Sequence, residues 1–113
     1  MRGIHFVPDA WAAYTWWQGQ DRKTLERINA LIEAAAREPF MGIGKPELLV
    51  GNLFGYWSRQ IDDSHRLVCR VTDDAIFVVA CRYHTATERL RRTVDSSTKS
   101  ILKSLPNAPP PPA

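Results

Sequence analysis

His65-Arg66-Leu67-Val68-Cys69-Arg70-Val71-Thr72-Asp73-Asp74-Ala75-Ile76-Phe77-Val78-Val79-Ala80-Cys81-Arg82-Tyr83-His84 is the stretch that decides the fold. Two apolar runs, Arg66–Val71 and Ile76–Arg82, flank the turn-forming Thr72-Asp73-Asp74, which reads as a β-hairpin. Leu67, Cys69 and Val71 alternate with Arg66 and Arg70. Phe77, Val79 and Cys81 alternate with Arg82 and His84. Successive strand residues point to opposite faces, so one apolar set faces a core and the charged set faces away. Arg66, Arg70, Arg82 and His84 then share one face under a single condition. The connection must have an odd length, or a strand must carry one bulge, because a two-residue Asp73-Asp74 turn sets Arg66 and His84 on opposite faces.

Working outward, Tyr56–Ile61 reads as a preceding strand, with Asp62-Asp63-Ser64 as its turn. Phe40-Met41-Gly42-Ile43-Gly44-Lys45-Pro46 is a loop by its Gly and Pro content. Before it, Leu25, Ile28, Ile32 and Ala35 form the apolar stripe of a helix that Asp21 caps and Glu38-Pro39 ends. An earlier helix carries Trp11, Tyr14 and Trp17. It is expected to start at an Asp9 cap and to break at Gly19. Arg2–Val7 reads as a short first strand ended by Pro8. The order implies an α+β domain in which a two-helix hairpin packs on one face of an antiparallel sheet. Residues 1–85 form that domain. Residues 86–113 form a basic, then Pro-rich extension expected to be weakly helical or disordered.

With 113 residues and 44% apolar content, the chain holds one core. No stretch is apolar enough to span a membrane and the N-terminus lacks a secretory block, so a cytoplasmic location is expected. Cys69 and Cys81 show no metal or redox spacing and read as small hydrophobes without a disulfide. Residues 1–85 hold ten Lys+Arg against ten Asp+Glu, so the net +3 lies wholly in the extension. A basic tail draws polyanions such as RNA, and it equally serves as a solvated surface.

Glu47, Lys45, Arg59, Arg66, Arg82 and His84 are the chemically suggestive set. Metal-free RNA cleavage needs a base for the 2′-OH, an acid for the leaving oxygen, and cations for the phosphorane. A carboxylate, a histidine and arginines meet those needs. Each residue also has a plain reading: Glu47 as a loop acid, His84 as an exposed strand-end histidine, Arg66 and Arg82 as a solvated sheet face. The residue types alone do not choose. No Walker loop, metal-ligand spacing or nucleophile motif is present.

A set of strings in order does more. Arg27-Ile28-Asn29-Ala30-Leu31-Ile32, Pro39-Phe40, Gly42-Ile43-Gly44-Lys45-Pro46-Glu47, Leu53-Phe54-Gly55-Tyr56-Trp57-Ser58-Arg59, His65-Arg66-Leu67-Val68 and Cys81-Arg82-Tyr83-His84 together resemble the YoeB toxins of the RelE superfamily. The resemblance runs to about Thr85. It implies a compact microbial-ribonuclease-like fold, often dimeric, and a ribosome-dependent mRNA endonuclease paired with a YefM-like antitoxin. It implies Glu47 as general base, Arg66 as phosphate stabiliser and His84 as general acid, with Lys45, Arg59 and Arg82 along the RNA path. No metal or cofactor is expected. Three positions depart from the family pattern: Gln60 stands for a second arginine, Cys69 for a tyrosine, and Thr85 for a terminal tyrosine that helps shape the family's site. The alternative expectation is a toxin homologue that acts by binding alone, as an antitoxin partner or co-repressor, or like the superfamily's gyrase inhibitors. Retained Glu47 and His84 weigh toward the enzyme.

Overall fold

The structure, a computed structural model, describes residues 1–82. His84, Thr85 and the extension from Ala86 lie outside the described residues.

The chain runs β1 (Gly3–Phe6), α1 (Pro8–Gln18), α2 (Arg22–Arg37), β2 (Glu47–Leu48), a short 3-10 turn (Gly51–Leu53), β3 (Tyr56–Gln60), β4 (Arg66–Val71) and β5 (Ala75–Ala80). Five strands form one sheet in the order β1-β5-β4-β3-β2. It is an α+β domain, as expected, but the sheet is mixed. β1 pairs with β5 in parallel, while the other pairs are antiparallel. The two-helix crossover between β1 and the hairpins allows that parallel neighbour, which no tight turn could.

α1 begins two residues earlier than an Asp9 cap implies. Pro8 occupies the first helical turn, where its fixed φ and missing N–H do no harm, and Asp9 sits within that turn. Gly19 closes the helix as expected. In α2 the Asp21 carboxylate accepts from the Lys23 amide at 3.2 Å and from the Thr24 hydroxyl at 2.6 Å. Its pKa is held below the ordinary carboxylate value, first by Thr24 and then by the Lys23 amide. Ile28, Leu31, Ile32, Ala35 and Ala36 are the buried stripe of α2. They pack with Leu67, Cys69, Val71, Ile76, Val78, Val79 and Cys81 from the sheet. Both cysteines are free and buried, and burial pushes each thiol up to about 12. No described helix is long and apolar enough to cross a membrane.

The β4–β5 register resolves the parity question. Thr72 pairs with Ala75 around Asp73-Asp74, so the turn is the even one. Val71 then meets Ile76, Arg70 meets Phe77 and Cys69 meets Val78, but Val68 meets Ala80. Val79 is the extra residue of a bulge. Before it, Ile76 and Val78 face the helices and Phe77 faces away, the reverse of the expected Phe77-Val79-Cys81 set. After it, Val79 and Cys81 are buried and Ala80 takes the open face. The bulge therefore puts Ala80, the one residue of β5 beyond it, on the face that bears the even-numbered arginines of β4.

Candidate active site

The open face of the sheet is built by rows of cross-strand partners. Glu47 pairs with Ser58, Ser58 with Val68, and Val68 with Ala80. One row along, Gln60 pairs with Arg66; in the other direction Tyr56, Arg70, Phe77 and His5 stand side by side. Paired residues share a face, so Glu47, Ser58, Arg66, Arg70 and Tyr56 all lie on the side away from the helices. Glu47 is exposed and Arg66 half-buried. Their strands are two spacings apart, about 10 Å, with β3 between.

The second row is a further part of this surface. The Arg70 guanidinium lies 5.9 Å from the centre of the Tyr56 ring, and His5 stacks on Phe77 at 4.9 Å. Burial pushes the Tyr56 phenol up, an effect that Arg70 opposes. Tyr56 was not singled out from sequence. Its signal was parity, because it alternates with Ser58 and Gln60 along β3. His5 stacks within the fold on this open face.

The three basic positions expected along the RNA path separate. Lys45 is exposed, in a left-handed backbone conformation with φ 52°. Arg82, just past β5, lays its guanidinium 3.4 Å from the centre of the Trp16 ring on α1, a cation–π stack. Trp16 meets Trp17 edge-on, Trp17 meets His65 edge-on, and the Trp17 indole N–H donates to the Cys81 carbonyl at 2.9 Å. Arg82 therefore lies against α1.

Arg59 is a correction. It pairs with Leu67 on the helix-facing side and is only 2% exposed. Its Nη1 donates to the Ile43 carbonyl at 2.7 Å, and its Nη2 donates to the carbonyls of Glu38 at 2.7 Å and Met41 at 2.9 Å. A side chain so buried and so committed offers RNA nothing in this conformation. The strand's alternation sends it inward, and loop carbonyls satisfy it there. Burial lowers the Arg59 pKa, with the Cys69 thiol and the Glu38 carboxylate acting against that.

Among the described residues no three His, Cys, Asp or Glu side chains are grouped to hold a metal ion. The arrangement offers a carboxylate and a guanidinium on one open face, with hydroxyl and aromatic groups between and beside them. Such a face suits a phosphodiester with a 2′-OH better than an apolar ligand.

A family model described as "YoeB-like toxin of bacterial type II toxin-antitoxin system" matches residues 6–85. A relative, Toxin YoeB of Mycobacterium bovis, is 55% identical over 84 residues, covering 74% of this chain and 99% of its own. Two solved structures from Staphylococcus aureus share the fold. A YoeB dimer is 43% identical with a TM-score of 0.68, covering 74% of this chain and 97% of that one. A YoeB-YefM complex is 41% identical with a TM-score of 0.68, covering 74% and 98%.

Proposed function

We propose that this chain, which belongs to the YoeB-like toxins of bacterial type II toxin-antitoxin systems, is an endonuclease that cuts mRNA at the ribosome. The single observation that carries the reading is the open face of the sheet. Glu47 on β2 and Arg66 on β4 both lie on it, away from the helices, with Ser58 of β3 between their strands.

In the proposed reaction Glu47 takes the proton of the 2′-OH. The freed oxygen forms a bond to the adjacent phosphorus as the bond from phosphorus to the 5′-oxygen breaks. His84 supplies the proton that the leaving oxygen needs. Arg66 holds its charge against the phosphorane, where the extra negative charge develops. The products are a 2′,3′-cyclic phosphate and a 5′-OH, and the scheme uses no metal or cofactor. Lys45 contributes an exposed cation for the RNA backbone, and Arg82 a stacked one against α1. Arg70 and Tyr56, a row away, are candidates to contact the same strand.

A YefM-like antitoxin is the proposed partner, and a homodimer the proposed assembly. Support comes from the two Staphylococcus aureus structures, one a YoeB-YefM complex and one a YoeB dimer. Action on ribosomes places the work in the cytoplasm.

Induced expression followed by mapping of 5′-OH mRNA ends tests the reading. Wild type should give site-specific cuts and arrest growth. Glu47→Gln, Arg66→Ala and His84→Ala should give neither while remaining folded. A folded triple variant that still cuts would sink the assignment. Growth arrest with intact message and DNA damage would favour the gyrase-inhibiting alternative.

A further inference from the structure

Arg59 is a buried cation whose three hydrogen bonds all go to one segment. Glu38 ends α2, and Met41 and Ile43 lie in the loop that follows. That loop delivers Lys45 and Glu47. Its backbone turns through positive φ at Gly42, Gly44 and Lys45, a conformation that costs the glycines little but is disfavoured for Lys45. Its far end is secured by the Gln60 amide, which donates to the Gly44 carbonyl at 2.7 Å. β2, which carries Glu47, is two residues long and lies at the sheet edge. So short a strand does little to fix its own position. Ser58 is the cross-strand partner of Glu47, and Arg59 is the next residue of β3, on the opposite face. β3 thus grips the segment from both sides, by backbone pairing at Ser58 and by side chain at Arg59.

We infer that Arg59 is a positioning residue for the reaction proposed above: its guanidinium presets the loop that presents Lys45 and Glu47. The inference rests on that nuclease reading. A planar guanidinium carries its donors in a fixed fork, so it spans carbonyls that one ammonium cannot hold together. The alternative is a phosphate contact on the RNA path. It requires Arg59 to leave a buried site and to abandon three carbonyls, which are then left to find water.

The test uses the full chain, with Arg59→Lys as the main variant and Arg59→Met as the second. Three readouts separate the roles: hydrogen exchange across residues 38–48 and at the Gln60 amide, cleavage kinetics on programmed ribosomes, and the salt dependence of ribosome binding. The expected result for a folded Arg59→Lys has three parts. Loop exchange is at least about tenfold faster. kcat falls by about 100-fold, the effect of misplacing a reacting group by about 1 Å. The salt slope falls by no more than about 0.7, the loosened Lys45 contact, and KM rises far less than kcat falls. If Arg59→Met does not fold, Arg59→Lys decides.

A salt slope shallower by about 0.7, the loss of one single-strand phosphate contact, with exchange unchanged, would overturn the inference. So would faster exchange with unchanged kcat, since the anchor would then be structural only. If wild type cuts no RNA, the nuclease reading fails, and with it the catalytic half of the inference. The exchange result still decides whether Arg59 anchors the loop.

Discussion

Replacing Gly44 by alanine tests the packing of the loop directly. Gly44 has φ 84°, where an L side chain is strained, and a Cβ built there lies 2.6 Å from Leu31 Cδ2 and 3.1 Å from Arg59 Cβ. The backbone strain is about 1–2 kcal/mol. The forced contact sits between α2 and β3 and adds about 1–3 kcal/mol of overpacking. Alanine also stiffens the unfolded chain, which returns about 0.4–1 kcal/mol. Gly51 is the matched control, because its φ is 67° and an added Cβ meets nothing within 4 Å. Gly51→Ala should therefore be destabilised by no more than about 1.5 kcal/mol, the strain less the unfolded-state gain. Gly44→Ala should fall a further 1–3 kcal/mol or so below it. For a domain of this size each kcal/mol lowers Tm by roughly 4–8 °C. Urea denaturation of both variants at one pH, with equal m-values, measures the difference. If Gly44→Ala is as stable as Gly51→Ala, the loop is not seated on Leu31 and Arg59, and the account of how Glu47 is held is wrong.

Other outcomes follow from the same geometry. Deleting Val79 removes the bulge but keeps Val68 opposite Ala80 and Cys81 facing the core; near-UV circular dichroism should stay native-like while the urea midpoint falls from the lost Val79 packing, and a spectrum without fixed packing would contradict the register argument. Trp17→Phe leaves the Cys81 carbonyl without its indole donor and should lower stability by about 1–3 kcal/mol, measured by urea melting. The Cys69 and Cys81 thiols, raised from 9.0 to about 12, should resist alkylation near neutral pH until the protein is unfolded. Their folded pKa exceeds the unfolded one, so their contribution to stability is complete below about 9 and lost as pH rises toward 12. A Cys69→Ala/Cys81→Ala variant should therefore show a flatter stability curve across that window, and an unchanged slope would refute the assignment.

The sequence was informative where the physics is local. Asp21 capping, the α2 stripe and the bounds of β4 follow from spacing and side-chain chemistry within a few residues. It was uninformative where partners lie far along the chain. Ile76 to Ala80 is unbroken apolar sequence, so nothing in its alternation reveals that Val78 and Val79 are both buried. β2 is too short to carry a pattern. The parallel seating of β1 on β5 joins the two ends of the described chain. At the site, Glu47 and Arg66 were legible as types and through family strings, and their common face needed the register. Arg59 was placed along the RNA path by the family resemblance, and its partners in the fold are carbonyls 16 to 21 residues away.

The parallel seam between β1 and β5 has a consequence for the timing of synthesis. Gly3 to Phe6 can find their neighbours only when Ala75 to Val78 exist, so the first strand made waits for the last. On a translating ribosome the nascent chain can form its helices early, but its sheet cannot close until β5 has cleared the exit tunnel. The five-stranded sheet that carries the open face is then completed only after the last strand has emerged, whatever the helices have done before it.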